Sequence, residues 1–309
     1  MDQATLFEAI DEAITNVAEA EFRRLAEGMT RDELTNNVHR ALASLRGLQD
    51  GIPPGYEDSW VPLLYLTWYQ PGQIYYAHHM IHRMNQNRSG TPLIAEGSYR
   101  LHLVDFGCGS LAMQFAVTWA AAEALESGLT VKEIRIDSYD VATPMIRLGQ
   151  ALWDEFKRII TDDAQVSHLA MAVSSIRPRN SSPNRLFPYK AQMPGEERWL
   201  SALHTVYEDN LDAVRIDLAK MTNAFKPDIG LMSCFPNPTP IGLLEQASPF
   251  TGDSFLSAYA GPSYRTEASL PKVTRWRRDL DLKIDRHHFL EGNVPWYRHA
   301  FGLIYTPKG

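Results

Sequence analysis

The stretch 101-LHLVDFGCGSLAMQF-115 decides how this chain is read. An apolar run climbs to Asp105, breaks at Gly107 and Gly109, and resumes at once with helix-type spacing. That pattern predicts a buried strand over Tyr99–Phe106, a tight turn, and a helix over Ser110–Ser127 closed by Gly128. Glycines one residue apart let a backbone approach a nucleotide closely, because a side chain at either would collide with it. A dinucleotide would use Gly107, Gly109 and Ala112, which satisfy G-x-G-x-x-[GA], but the acid expected about 20 residues on is missing and Asp140 comes later. The letters Asp105-Phe106-Gly107 match a kinase signature only by chance, with no catalytic-loop or strand-lysine companions. The plainest alternative is structural: a tight strand-to-helix turn, with Asp140 capping the helix that follows.

Working outward, 132-KEIRIDSYDV-141 predicts a second strand, Met145–Ile160 a helix, and 167-SHLAMAVSS-175 a third strand. The face Trp199, Leu203, Val206, Leu211, Val214 and Leu218 predicts a helix over 196–225, the core of a helical insertion at about 176–226, and 227-PDIGLMSCF-235 a fourth strand. A strand at Asp253–Ala260, a basic helix at Lys272–Arg278, and strands at Leu280–Ile284 and Ala300–Thr306 complete the chain. The last two are joined through Gly292 and Pro295, which argue against a crossover helix and for antiparallel neighbours.

Toward the N-terminus the pattern is helical throughout. Leu6, Ile10, Ile14 and Val17 form one stripe ended by Gly28, while Leu34, Val38, Leu42 and Leu45 form a second behind the capping-box pair Thr30 and Glu33. After the breaker 51-GIPPG-55, the aromatic stretch 60-WVPLLYLTWYQPGQIYYAHHMIHRM-84 predicts two short helices meeting at Pro71-Gly72. The expected organisation is a helical cap over 1–90 and an α/β domain over 91–309.

Composition narrows the function. The chain has 309 residues, 44% of them hydrophobic, so it can bury a full core, and no tract is apolar enough over a membrane's width. Two cysteines make no disulfide framework and no signal-peptide pattern is visible, so a reducing, cytoplasmic setting is expected. The formal charge of −7 disfavours a surface built for phosphate backbones. The expected partner is a small-molecule substrate, with nucleic acid disfavoured, no membrane, and a homodimer left open.

Together 104-VDFGCGS-110 and Asp140 resemble the class I S-adenosylmethionine-dependent methyltransferase family, over about residues 95–306. The resemblance implies a Rossmann-like α/β sheet ending in an antiparallel hairpin, with S-adenosylmethionine as cofactor. It also implies that Asp105 lies near the amino-acid end of the cofactor, that the Gly107–Cys108–Gly109 backbone passes beside it, and that Asp140 accepts the two ribose hydroxyls. A carboxylate's two acceptor oxygens suit a vicinal diol. The family's third glycine is absent, with Ser110 or Leu111 in its place. Ser174 and Cys234, near the ends of the third and fourth expected strands, complete the cofactor set, although the thiols also read as small packing residues. The lid position before the first motif offers Tyr69, Gln73 and Tyr76 as substrate contacts and His79 as a base. The end of the fourth strand offers Phe235 and Asn237, in a segment that departs from the Asn-Pro-Pro-aromatic motif of DNA amino-methylases because Thr239 follows Asn237-Pro238. His204 is the candidate base outside the cap. His78 and His82 have the spacing of helical metal ligands but lack the rest of a cluster, so no metal is expected. Two other functions compete: an RNA- or ribosome-directed methyltransferase using 275-RWRR-278 and 177-RPR-179, and a non-catalytic cofactor-binding scaffold.

Overall fold

The computed structural model describes residues 3–50, 52–87, 99–162, 167–234, 240–250, 253–259, 270–280 and 300–306. Four helices come first: α1 (Gln3–Ala26), α2 (Arg31–Arg46), α3 (Trp60–Trp68) and α4 (Gln70–Asn87). The capping box at the start of α2 is formed, Thr30 accepting from the Glu33 amide while the Glu33 carboxylate accepts from the Thr30 amide. Pro71 falls in the first turn of α4, where its missing N–H costs nothing.

The sheet begins with β1 (Tyr99–Phe106), α5 (Ala112–Glu126), β2 (Val131–Tyr139) and α6 (Thr143–Asp162), as the sequence predicts to within a few residues. There follow α7 (Ser167–Ser175), β3 (Ile176–Ser181), β4 (Glu196–Leu203), α8 (Leu211–Phe225), β5 (Ile229–Cys234), α9 (Pro240–Ala247), β6 (Asp253–Tyr259), α10 (Pro271–Asp279) and β7 (Ala300–Thr306). Strand order is β3-β2-β1-β4-β5-β7-β6. The first five strands are parallel, and β7 runs antiparallel to both β5 and β6. This is the Rossmann-like methyltransferase sheet.

Three expectations are corrected. Residues 167–175 form a helix, because Leu169, Ala172 and Ile176 are buried at helical rather than alternating spacing. Residues 196–203 form the central strand β4 and only Leu211–Phe225 is helical, so 176–226 belongs to the sheet and is not an appended insertion. Both sides of β7 are taken by antiparallel neighbours, β5 and β6, whereas of the strand expected at 280–284 Leu280 follows α10 and the rest lies outside the described residues.

Each face of the sheet carries its own core. Leu101 and Leu103 join a cluster with α1 to α7, whereas Val104 and Phe106 join one with α8, α9 and the coil bearing Leu186, Phe187 and Tyr189. The alternation follows from the two-residue period of a strand. The N-terminal helices therefore share a buried core with the sheet: α4 packs on α5 and reaches β6 and β7, where Gly302 admits Met80 and the Tyr76 hydroxyl, which a Cβ would meet at 2.7 and 2.9 Å. Between α1 and α6, Glu21 accepts from Arg24 and Arg147. Burial opposes ionisation there, but the two guanidinium groups hold the carboxyl down to about 2.

Candidate functional site

The chain runs from β1 outward to β2 and β3, then returns to β4 on the other side of β1, so the order reverses between β1 and β4. Ligands of open α/β sheets bind outside the carboxyl ends of the strands at such a point. A cavity of about 290 Å³ opens there, lined by Phe106, Gly107 and Gly109 after β1, Asp140 and Val141 after β2, Pro183 after β3, and His204, Thr205 and Tyr207 after β4.

The glycine loop forms its floor. Gly107 has φ +67°, and a Cβ there would stand 1.8 Å from the Thr205 methyl; Gly109 has φ +51°. The loop's amides are turned back into the protein. Those of Gly107 and Cys108 donate to the Tyr139 carbonyl at 2.7 and 3.1 Å, and that of Gly109 donates to Asp140 Oδ2 at 2.8 Å. Asp140 Oδ1 accepts from the Ala142 amide at 2.8 Å, closing a turn just ahead of α6 rather than capping that helix, whose first accepting carbonyl is that of Ala142, and each carboxylate oxygen keeps a lone pair for a ligand. Burial raises the Asp140 pKa, the amides of Ala142, Gly109 and Val141 oppose that, and the charge of Glu57 adds to it, leaving the value above the ordinary one.

Tyrosines build the roof. Tyr65 lines the cavity with Tyr56 and Tyr207, and it stacks on Tyr69, with ring centroids 5.2 Å apart and planes at 24°. Gln73, buried too, lies near the Tyr65 hydroxyl. The roof is tied to the floor: Gln70 Nε2 donates to the Ser110 carbonyl at 2.7 Å while the Ser110 hydroxyl donates to Gln70 Oε1 at 2.8 Å, both residues buried. Tyr69, Gln73 and Tyr76 thus stand one layer behind the cavity wall. Tyr76 meets the His204 ring at 5.3 Å and lies near Ser233 and Cys234.

His204 sits on the cavity wall in a left-handed backbone conformation, φ +56°, with its amide donating to the Ser233 carbonyl at 2.9 Å. Burial drives its pKa down to about 3. Such an imidazole is neutral and a weak base, far from the value near operating pH that general-base catalysis favours. His79 is half-buried on α4, off the cavity wall, and burial followed by the charges of Arg83, His82 and His78 lowers its pKa.

Asp105, buried beneath the loop, is not on the cavity wall. Burial raises its pKa to about 7, against the 2.6 Å hydrogen bond it accepts from Ser201 on β4. Cys108 and Cys234 are buried and off the wall too; burial pushes the first thiol well up and the second to about 12. Ser174 is misplaced: with 167–175 helical, it is exposed on α7 and donates to the Met171 carbonyl. Phe235 and Asn237 lie outside the described residues. Of the basic runs, Arg277 is buried against the Thr67 carbonyl and over the Trp68 ring, and Arg179 is spent on Asp137, so neither presents its full charge outward. No group of His, Cys, Asp or Glu among the described residues could hold a metal, and His78 instead stacks on Trp119 and meets Glu123 at 2.9 Å. No helix among them is long and apolar enough to cross a membrane.

Sequence reasoning missed Tyr56, Pro183 and Thr205. Reading 196–225 as one helix hid the end of β4, where Thr205 sits, whereas Tyr56 and Pro183 lie in coil and carry no periodic signal.

No protein-family model matches the chain, and neither does any curated protein. Solved structures do match. The small RNA methyltransferase HEN1 is 13% identical with a TM-score of 0.34, over 77% of this chain and 25% of that one. A phosphoethanolamine N-methyltransferase 2 of Haemonchus contortus is 12% identical with a TM-score of 0.31, over 72% and 53%. A loganic acid methyltransferase is 12% identical with a TM-score of 0.39, over 78% and 94%. The chain thus spans between a quarter and about half the length of the first two. At such scores no substrate or residue role carries across, and the chemistry rests on this chain's own residues, set in a sheet of the Rossmann-like methyltransferase fold.

Proposed function

We propose that this chain is an S-adenosylmethionine-dependent methyltransferase acting on an oxygen or nitrogen of a small molecule. One observation supports this reading above the rest: the glycine loop spends its amides on Tyr139 and Asp140, and the cavity it floors has the carboxylates of Asp140 and Asp217 and, among the described residues, no Lys or Arg. A pyrophosphate needs donors and positive charge there. A vicinal diol and a cation need acceptors and negative charge, which Asp140 offers.

When bound, the cofactor would supply an electrophilic methyl group. Asp140 would hold the ribose, the Gly107–Gly109 backbone would border the cofactor, and the tyrosine roof with Val141 and Pro183 would keep water out. Transfer to a nucleophile is an in-line displacement that asks chiefly for alignment. With the imidazole of His204 so weakly basic, that residue orients the acceptor as a neutral hydrogen-bonding group. Calorimetry is the test: S-adenosylmethionine or its demethylated product should bind, and tight binding of NADH with no binding of either would refute the reading.

A further inference from the structure

The cavity is acidic and aromatic at once. Among the described residues its charged lining is Asp140 and Asp217, with no Lys or Arg, and Glu57 and Asp209 act on the same groups from nearby. Three phenol rings complete the wall, and they are held in place. Tyr56 meets Tyr65 edge-on at 5.8 Å and 80°, Tyr65 is backed by the stacked ring of Tyr69, and Tyr207 lies near Tyr56. Aromatic faces carry a negative quadrupole that attracts cations, most strongly where water is excluded.

We propose that Tyr56, Tyr65 and Tyr207, with Asp140 beside them, form a receptor for the positive charge of a sulfonium, contributing to its binding and not to that of the neutral thioether. This deepens the methyltransferase reading and rests on it. Methyl transfer moves the methyl carbon to the acceptor while both electrons of the C–S bond stay on sulfur, and an O–H or N–H acceptor then gives its proton to solvent. The positive charge therefore leaves the sulfur as the reaction occurs. The tyrosines grip the reactant and release their hold on the product, which favours exchange of spent cofactor.

The experiment titrates three ligands into the full chain: S-adenosylmethionine, its demethylated product, and an analogue with an amine in place of the sulfonium. Tyr65→Leu and Tyr207→Leu should weaken the two cationic ligands roughly tenfold more than the neutral product. Tyr65→Phe, which keeps the ring face, should leave that ratio within about threefold of the parent. Because the ratio compares ligands on one preparation, partial unfolding cancels from it. Equal losses for all three ligands in both Leu variants would overturn the proposal and make the rings packing alone. Failure of all three to bind the parent protein would overturn the cofactor reading and this inference with it.

Discussion

Asp137 and Asp140 are three residues apart at the end of the same strand, and the fold treats them in opposite ways. Asp137 is fully buried and fully compensated: Arg179 donates two bonds at 2.6 Å and His102 lies at 2.8 Å. Burial alone would raise its pKa, but the bonds from His102 and Arg179 outweigh that and hold it below the ordinary value. Among the described residues, Asp140 has backbone amides and no cation as hydrogen-bond partners, and its pKa is raised. The first carboxylate is finished internally. The second is left with electrostatic demand facing a cavity, where a ligand could meet it.

The largest expected effect is at Asp137. Asp137→Ala leaves His102 in the core with Glu196 at 3.8 Å and frees the part-exposed Arg179 guanidinium, which should cost about 3 kcal/mol, the low end for removing one member of a buried pair. Urea unfolding measures it. The lowered pKa fixes the sign with pH: this stabilisation is present above the ordinary carboxylate value and is lost as pH falls through the lowered one. A loss under about 1 kcal/mol would erase the contrast.

Asp140→Ala should behave differently, costing the unliganded fold about 1 kcal/mol for its bonds to the Gly109 and Ala142 amides while weakening S-adenosylmethionine by about 1.5 to 3 kcal/mol. Paired unfolding and calorimetry separate the two numbers. A large stability loss with unchanged cofactor affinity would mean that Asp140 is a second structural carboxylate.

A third carboxylate, Asp105, sharpens the comparison through pH. The folded protein holds its proton up to about pH 7, whereas an unfolded chain releases it near about 4. The folded state then binds more protons between those values, and this group's contribution falls as pH rises through them, by up to about 1.4 kcal/mol per pH unit. Asp105→Asn should flatten the parent's stability curve from pH 5 to 7. An unchanged slope would show that Asp105 ionises normally despite its burial.

What the sequence made legible follows from where signals are local. The β1 turn and Asp140 could be read because glycine positions and strand-end acids are local features. The β4 strand could not. Buried on both faces, it lacks alternation, and its polar residues Glu196 and Arg198 are buried because they bond each other at 2.9 Å, a pairing invisible in one dimension. The apolar run at 167–175 is short enough to suit a helix or a strand, and only packing against α5 and α6 decides. The tyrosine roof is gathered from three separate segments, so spacing along the chain carried no trace of it.

The smallest effect is expected at His204, and its smallness is the point. If this imidazole took the acceptor's proton, its removal should cost about 10²-fold or more in turnover and change the pH profile. Burial holds its pKa near 3, so it stays neutral well above that value, and no titration of this group should appear between pH 5 and 9. The substitution that isolates the point is His204→Asn, because asparagine tolerates the left-handed backbone that φ +56° imposes while keeping a polar group on the cavity wall. Turnover should fall by less than about tenfold, with the profile's shape and cofactor affinity both preserved. A loss beyond about 10²-fold with a displaced acidic limb would restore His204 as the base. Asp140 would then remain the open carboxylate that holds the ligand, and the chemistry would move to the β4 side of the crevice.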